Sequence, residues 1–160
     1  PKAYKNGNDG DARKEMALAA FEAGVCINNA SVTLVHGMSR PIGALFHVSH
    51  GVSNAMLLEK CLGFALDGAY KRFGELGRAC GLAEEKAEDK EAALKFIKAV
   101  KELVKVCEIP TLKEYGINKD EFVKVIPKMA EDAIASGSPG NTRKEIRKED
   151  CEMIYHELIS

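Results

Sequence analysis

Three of the chain's four histidines, His36, His47 and His50, fall within fifteen residues. Between Glu22 and Glu59 the sole charged residue is Arg40, so the most apolar third of the chain carries most of its imidazole. A histidine buried in such surroundings needs a hydrogen-bond partner or a metal ion. Neutral imidazole suits zinc or iron. Two readings stand side by side: satisfied core histidines, or ligands to an ion. His36 and Arg40 are four residues apart and share a face on a helix. His47 and His50 are three apart and can face one way. His36 and His50 are fourteen apart, about 21 Å on one continuous helix, too far to share an ion. They converge only if the chain turns back between them, and Pro41 and Gly43 are the residues expected to break it.

Helices must position these groups, because helical periodicity dominates the sequence. Asp9 or Asp11 can cap a helix running to about Ala30. Its charges, Asp11, Arg13, Lys14, Glu15 and Glu22, lie in its first part only. A helix that is apolar all round is expected to be buried on all sides. Glu91 to Cys107 is the clearest amphipathic segment. Glu91, Lys95, Lys98, Glu102 and Lys105 step by three or four, with Phe96, Ala99, Val100, Leu103 and Val104 opposite. Further helices are expected over about 52–62, 67–80, 119–134 and 147–159. Pro110 ends one region, and Ser136-Gly137-Ser138-Pro139-Gly140-Asn141 reads as a loop. Val32 to Val35 has strand propensity but no partner run, so it is read as helical or irregular. No internal repeat or domain boundary appears, and the expectation is one all-α domain over residues 1–160.

Composition narrows the function classes. The chain has 160 residues, 46% of them apolar, with 23 basic and 24 acidic side chains and a net charge of −1. That is enough for one domain with a real core, and too apolar for low-complexity disorder. Balanced charge gives no footprint for a nucleic-acid partner. No long uninterrupted apolar run suggests a membrane span, and the opening residues Pro1 to Gly7 carry no apolar signal segment. The five cysteines are odd in number with no Cys-x-x-Cys, so they read as reduced, mostly buried thiols in a cytoplasmic protein. Asn6 to Asp11 resembles a calcium loop only superficially. Setting Gly10 on the EF-hand glycine puts Lys5 and Met16 where acidic ligands belong, so a turn and helix cap account for it better. No GxxxxGK[ST], GxGxxG or GxSxG motif occurs.

One segment carries a family resemblance. His36-Gly37-Met38-Ser39-Arg40-Pro41, then Gly43-Ala44, then Ser49-His50-Gly51-Val52-Ser53-Asn54-Ala55, resembles the iron-containing alcohol dehydrogenases. The family pattern has two outer histidines fourteen apart, an inner histidine before Pro, and a Pro-His-Gly-x-x-Asn-Ala ending. Pro1 to Gly7, Ile109-Pro110-Thr111-Leu112, Ala135 to Asn141 and the Glu149–Leu158 helix look like further family markers, so the resemblance covers essentially the whole chain. It covers only part of the family's protein, whose members are typically more than twice this length, with a nucleotide-binding α/β half followed by a helical half.

The resemblance implies a bundle-like helical C-terminal domain of the dehydroquinate synthase-like, iron-containing alcohol dehydrogenase fold, a fragment of a longer two-domain enzyme. It implies hydride transfer between NAD or NADP and an alcohol, aldehyde or ketone, with Fe2+ or Zn2+ polarising the substrate oxygen. The outer ligands map onto His36 and His50; the family's Asp-x-x-x-His element and its nucleotide domain would lie upstream of Pro1. His47 has no ligand role in that pattern, although a small protein using His36, His47 and His50 together is a weaker possibility. Two residues depart from the pattern. Arg40 replaces the inner histidine linked to proton transfer, and Ser49 replaces the usual Pro. Arginine stays protonated and cannot act as an ordinary general base, but it can pair with a cofactor phosphate or a substrate carboxylate. Arg40 is therefore the candidate catalytic and cofactor-binding residue. The expected partners are a small alcohol or carbonyl substrate, the nucleotide-binding half and a second copy of the chain. Alone, the chain is expected to be inactive. The competing expectation is a structural or partner-binding module without catalytic metal.

Overall fold

The computed structural model describes residues 1–160. It is all-helical, with no strand. The helices are α1 (Lys2–Lys5), α2 (Gly10–Ala30), α3 (Leu34–Phe46), α4 (His50–Ala65), α5 (Tyr70–Ala79), α6 (Asp89–Val106), α7 (Lys119–Ala135) and α8 (Lys148–Ile159). Two 3₁₀ turns, Leu66–Gly68 and Ser138–Asn141, follow α4 and α7. Local signals explain the starts. Asp9 accepts from the Ala12 amide at 3.0 Å, and Asn118 accepts from the Glu121 amide at 3.1 Å, each satisfying an orphan N–H of a first turn. At α8 the Asp150 carboxylate accepts from the Arg147 amide at 2.8 Å.

The core lies among α3, α4, α7 and α8. Helix α3 contributes Leu34, Met38 and Ile42, one stripe at a spacing of four. Leu57 and Cys61 of α4, Phe122, Ile126 and Met129 of α7, and Cys151, Ile154 and Tyr155 of α8 close around it. The Phe122 and Tyr155 rings meet edge to face at 6.0 Å, a favoured aromatic geometry. Tyr155 donates its hydroxyl to the Met38 carbonyl at 2.7 Å, tying α8 to α3 inside the core; burial pushes its phenol up from the ordinary value.

Helices α5 and α6 form a second, tighter pair. A Cβ on Gly77 would stand 2.4 Å from the Ala92 carbonyl oxygen, and one on Gly74 would stand 2.8 Å from that of Asp89. The two helices approach through glycine because nothing larger fits. Arg78 closes the joint, donating to Asp89 at 2.6 Å and to the Ala87 carbonyl at 2.8 Å.

Helix α2 overturns the expectation of all-round burial: none of its residues is buried. Phe21 is 71% exposed, and Met16, Leu18, Val25 and Ile27 are also open to solvent. The chain bends by 106° between α2 and α3, so α2 leaves the bundle and packs mainly against α1. Composition reported its apolar character correctly; no other element of this chain covers it. The cysteines need a second correction. All five are free, but only Cys61 and Cys151 are buried, while Cys26 and Cys80 are exposed. No single helix is long and apolar enough to cross a membrane.

Candidate metal centre

The site is built where α3 begins and α4 begins. Thr142 accepts from the Leu34 amide at 3.2 Å, and Asn141 donates to the Val32 carbonyl at 2.9 Å. The 3₁₀ turn after α7 thus pins the start of α3, and His36 sits in its first turn. A Cβ on Gly37 would stand 2.8 Å from Pro139 Cδ, so the same junction is packed without slack.

The chain does turn back between the outer histidines, though not at the expected residues. Pro41 and Gly43 both lie inside α3. The reversal comes at His47, the residue after α3, which adopts the left-handed conformation at φ 54° and ψ 28°. Val48 then returns alongside the helix. A Cβ on Gly43 would stand 3.2 Å from the Val48 carbonyl oxygen, so Gly43 gives room to the returning segment rather than ending the helix. Ser49 is extended and α4 starts at His50. Ten helical residues carry the chain about 15 Å beyond His36, and the non-helical residues 47–49 bring it back toward the start of α3.

The result brings the His36 and His50 rings to 5.4 Å between centroids, tilted by 55°. Two imidazoles bound to one tetrahedral ion at about 2.0–2.1 Å would have their centroids roughly 5 Å apart. Burial, then the neighbouring His50, then the Arg40 charge all push the His36 pKa down. That favours the neutral ring a metal requires. His50 is exposed, so one ring is partly sheltered and the other is open. No third His, Cys, Asp or Glu gathers with them. His47 therefore does not join the pair, and the reading with three histidine ligands has no geometry behind it. The pair fits one half of a four-coordinate site.

Arg40 follows His36 by one turn, is exposed, and donates from Nη1 to Ser138 Oγ at 3.2 Å. Its guanidinium has no carboxylate partner among the ion pairs of the chain. It is held in place and retains capacity for an anion. A cleft beside the histidines is lined by Thr33, Val35, His36, Asn54, Leu58 and Leu62. Asn54 was given no role by sequence reasoning. The signal was its position four residues after His50, which puts both side chains on one face of α4.

With this geometry in view, comparison with known proteins is decisive. The C-terminal part of the Fe-containing alcohol dehydrogenase family matches residues 1–159. The chain belongs to that family. It is 33% identical over 155 residues to the NADPH-dependent butanol dehydrogenase of Clostridium saccharobutylicum, covering 96% of this chain and 39% of that protein. It is 33% identical over 149 residues to the lactaldehyde reductase of Escherichia coli K12, covering 92% and 38% respectively. Among solved structures, an alcohol dehydrogenase from Oenococcus oeni superposes with a TM-score of 0.87 at 32% identity. A 1,3-propanediol oxidoreductase superposes with a TM-score of 0.89 at 28% identity. Each covers 98% of this chain, which covers 40% of theirs. The chain thus spans about two fifths of the length of the relatives it matches, and its helices are the family's C-terminal helical fold.

Proposed function

We propose that this chain is the metal-binding helical portion of an NAD(P)-dependent alcohol dehydrogenase, with His36 and His50 as two of the ligands to a divalent metal, iron first and zinc second. The convergence of these two rings across fourteen residues of sequence carries the reading. When bound, such a metal polarises the oxygen of an alcohol or carbonyl substrate. Around it this chain supplies three side-chain contributions. His36 presents a neutral ring from a partly sheltered position. Val35, Leu58 and Leu62 give the open cleft beside it apolar walls. Arg40 binds an anionic group, a cofactor phosphate or a substrate carboxylate, from its anchorage on Ser138. It does not accept a proton, since guanidinium stays charged, so the proton-transfer role of the family's inner histidine is not carried at this position. The remaining ligands and the dinucleotide platform belong to the nucleotide-binding half. The five free thiols support a cytoplasmic setting.

Alcohol-dependent reduction of NAD or NADP tests this. The 160-residue chain alone is expected to show none. Combined with a nucleotide-binding half it should show activity that His36→Ala and His50→Ala each abolish. Activity of the chain alone, or activity indifferent to both substitutions, would refute the proposal. A second reading, a helical module that holds no catalytic metal and docks a partner or another copy of itself, is favoured by one observation, the uncovered apolar surface of α2. A metal-free chain that self-associates through α2 would support it.

A further inference from the structure

The metal centre described above leaves one of its neighbours without a task. Asn54 lies one turn after His50, and its amide nitrogen donates to the His50 carbonyl at 2.7 Å. That bond fixes which end of the amide is nitrogen, because the reversed amide would set two acceptor oxygens against each other. The same Nδ2 stands 3.3 Å from His50 Nδ1 and 3.1 Å from His50 Nε2. An atom that close to both ring nitrogens cannot lie in the plane of the ring, since Cε1 sits between them and would collide. The amide N–H therefore lies over the face of the imidazole, an N–H···π contact. It occupies neither in-plane nitrogen position.

The other end of the amide is as informative. Asn54 Oδ1 is buried and has no hydrogen-bond partner. A buried acceptor left unmade destabilises the folded state. The surrounding cleft is mostly apolar, with Val35, Ala55, Leu58 and Leu62 beside Thr33 and His36, and a leucine at position 54 would avoid that cost. Stability alone does not explain an amide here; its contact with His50 does.

We propose that Asn54 is a positioning residue for His50, a clamp on the face of the ring that holds its orientation while leaving both ring nitrogens open, one to bind a metal and one to be hydrogen-bonded from elsewhere. The use of the clamp rests on His50 being a ligand, but its existence does not. The test therefore uses the metal-free chain first. A proton held over an aromatic face is shielded, so one Asn54 side-chain amide proton should resonate upfield of the ordinary side-chain range. It should return to that range in His50→Leu. An ordinary wild-type signal overturns the clamp. Next, Asn54→Leu and Asn54→Asp are titrated with Zn2+ alone and melted without it. The expectation is a loss in Zn2+ affinity of about 10–100-fold, the usual cost of removing a group that orients a ligand, with the Tm of Asn54→Leu equal to or above that of wild type. Affinity within twofold of wild type in both variants overturns the proposal, as does a loss that only tracks a fall in Tm. A wild-type chain that binds no Zn2+ counts against His50 as a ligand, and the amide signal then still decides the clamp.

Discussion

Helices α2 and α3 are neighbours in the chain and both are rich in apolar residues, yet α2 buries none of its 21 residues while α3 buries seven of its 13. The difference lies in arrangement and in partners. In α3 the large residues Leu34, Met38 and Ile42 repeat every four, and the helix packs against α4 and α7. In α2 the apolar residues run round the helix, and the 106° bend at residues 31–33 carries them away from the bundle. Apolar composition measures what a segment could bury. Burial itself requires a facing surface, and for α2 this chain holds none. The histidine pair sits at the starts of α3 and α4, on the well-anchored side of that bend, which is why its geometry is defined without α2.

The largest contrast sets an aromatic ring of the bundle that α3 packs into against one on α2. Phe122→Ala opens the fully buried core and should cost about 3–5 kcal/mol. Phe21→Ala on α2 should stay within about 0.5 kcal/mol. Denaturant unfolding of the two variants decides the matter; a comparable loss at Phe21 would mean that α2 is packed in solution. Next comes Gly37→Ala, whose new methyl would meet the buried Pro139 ring at 2.8–2.9 Å. Because a proline ring cannot swing aside, about 1–3 kcal/mol should be lost, and the His36–His50 contact should loosen with it. Histidine ring shifts read against Tm would register both.

A third expectation concerns α2 alone. Its uncovered face should make the chain self-associate with rising concentration, and Phe21→Glu with Ile27→Lys should return it to monomer in sedimentation velocity. A wild-type monomer at all concentrations would leave the α2 surface without this consequence. The smallest effect is electrostatic. The Lys144 ammonium, through its hydrogen bond first, holds the Asp67 carboxyl below its usual value. A carboxyl with a lower folded than unfolded pKa stabilises the fold above the unfolded value, near 3.9. That contribution fades as pH falls through the folded pKa. Lys144→Met should therefore narrow the stability difference between neutral pH and pH 3, measured by thermal melts, and removing the wholly exposed Lys14–Asp11 pair on α2 should not.

Much of this was legible in the residues. The amphipathic stripe from Glu91 fell on α6, and the segments read at 119–134 and 147–159 became α7 and α8 almost unchanged. The need for a reversal between His36 and His50 followed from helix rise alone. Its location did not, because Pro41 and Gly43 look like breakers. In the fold Pro41 is accommodated within α3, and the turn falls to His47, which takes the left-handed conformation although it is not a glycine. The burial of α2 was misread because periodicity shows an apolar surface without showing what it faces. The role of Asn54 was hidden for a related reason. Asn four residues after His marks a shared face, but only the measured distances place the amide over the ring.

The central claim is that His36 and His50, and not His47, form half of a metal centre. Zn2+ titration of the 160-residue chain, followed through the ring resonances of its four histidines, tests it most directly. The account predicts that His36 and His50 shift together with one midpoint while His47 and His156 stay in place. Movement of His47 on the same midpoint, or no common movement of His36 and His50, would contradict it.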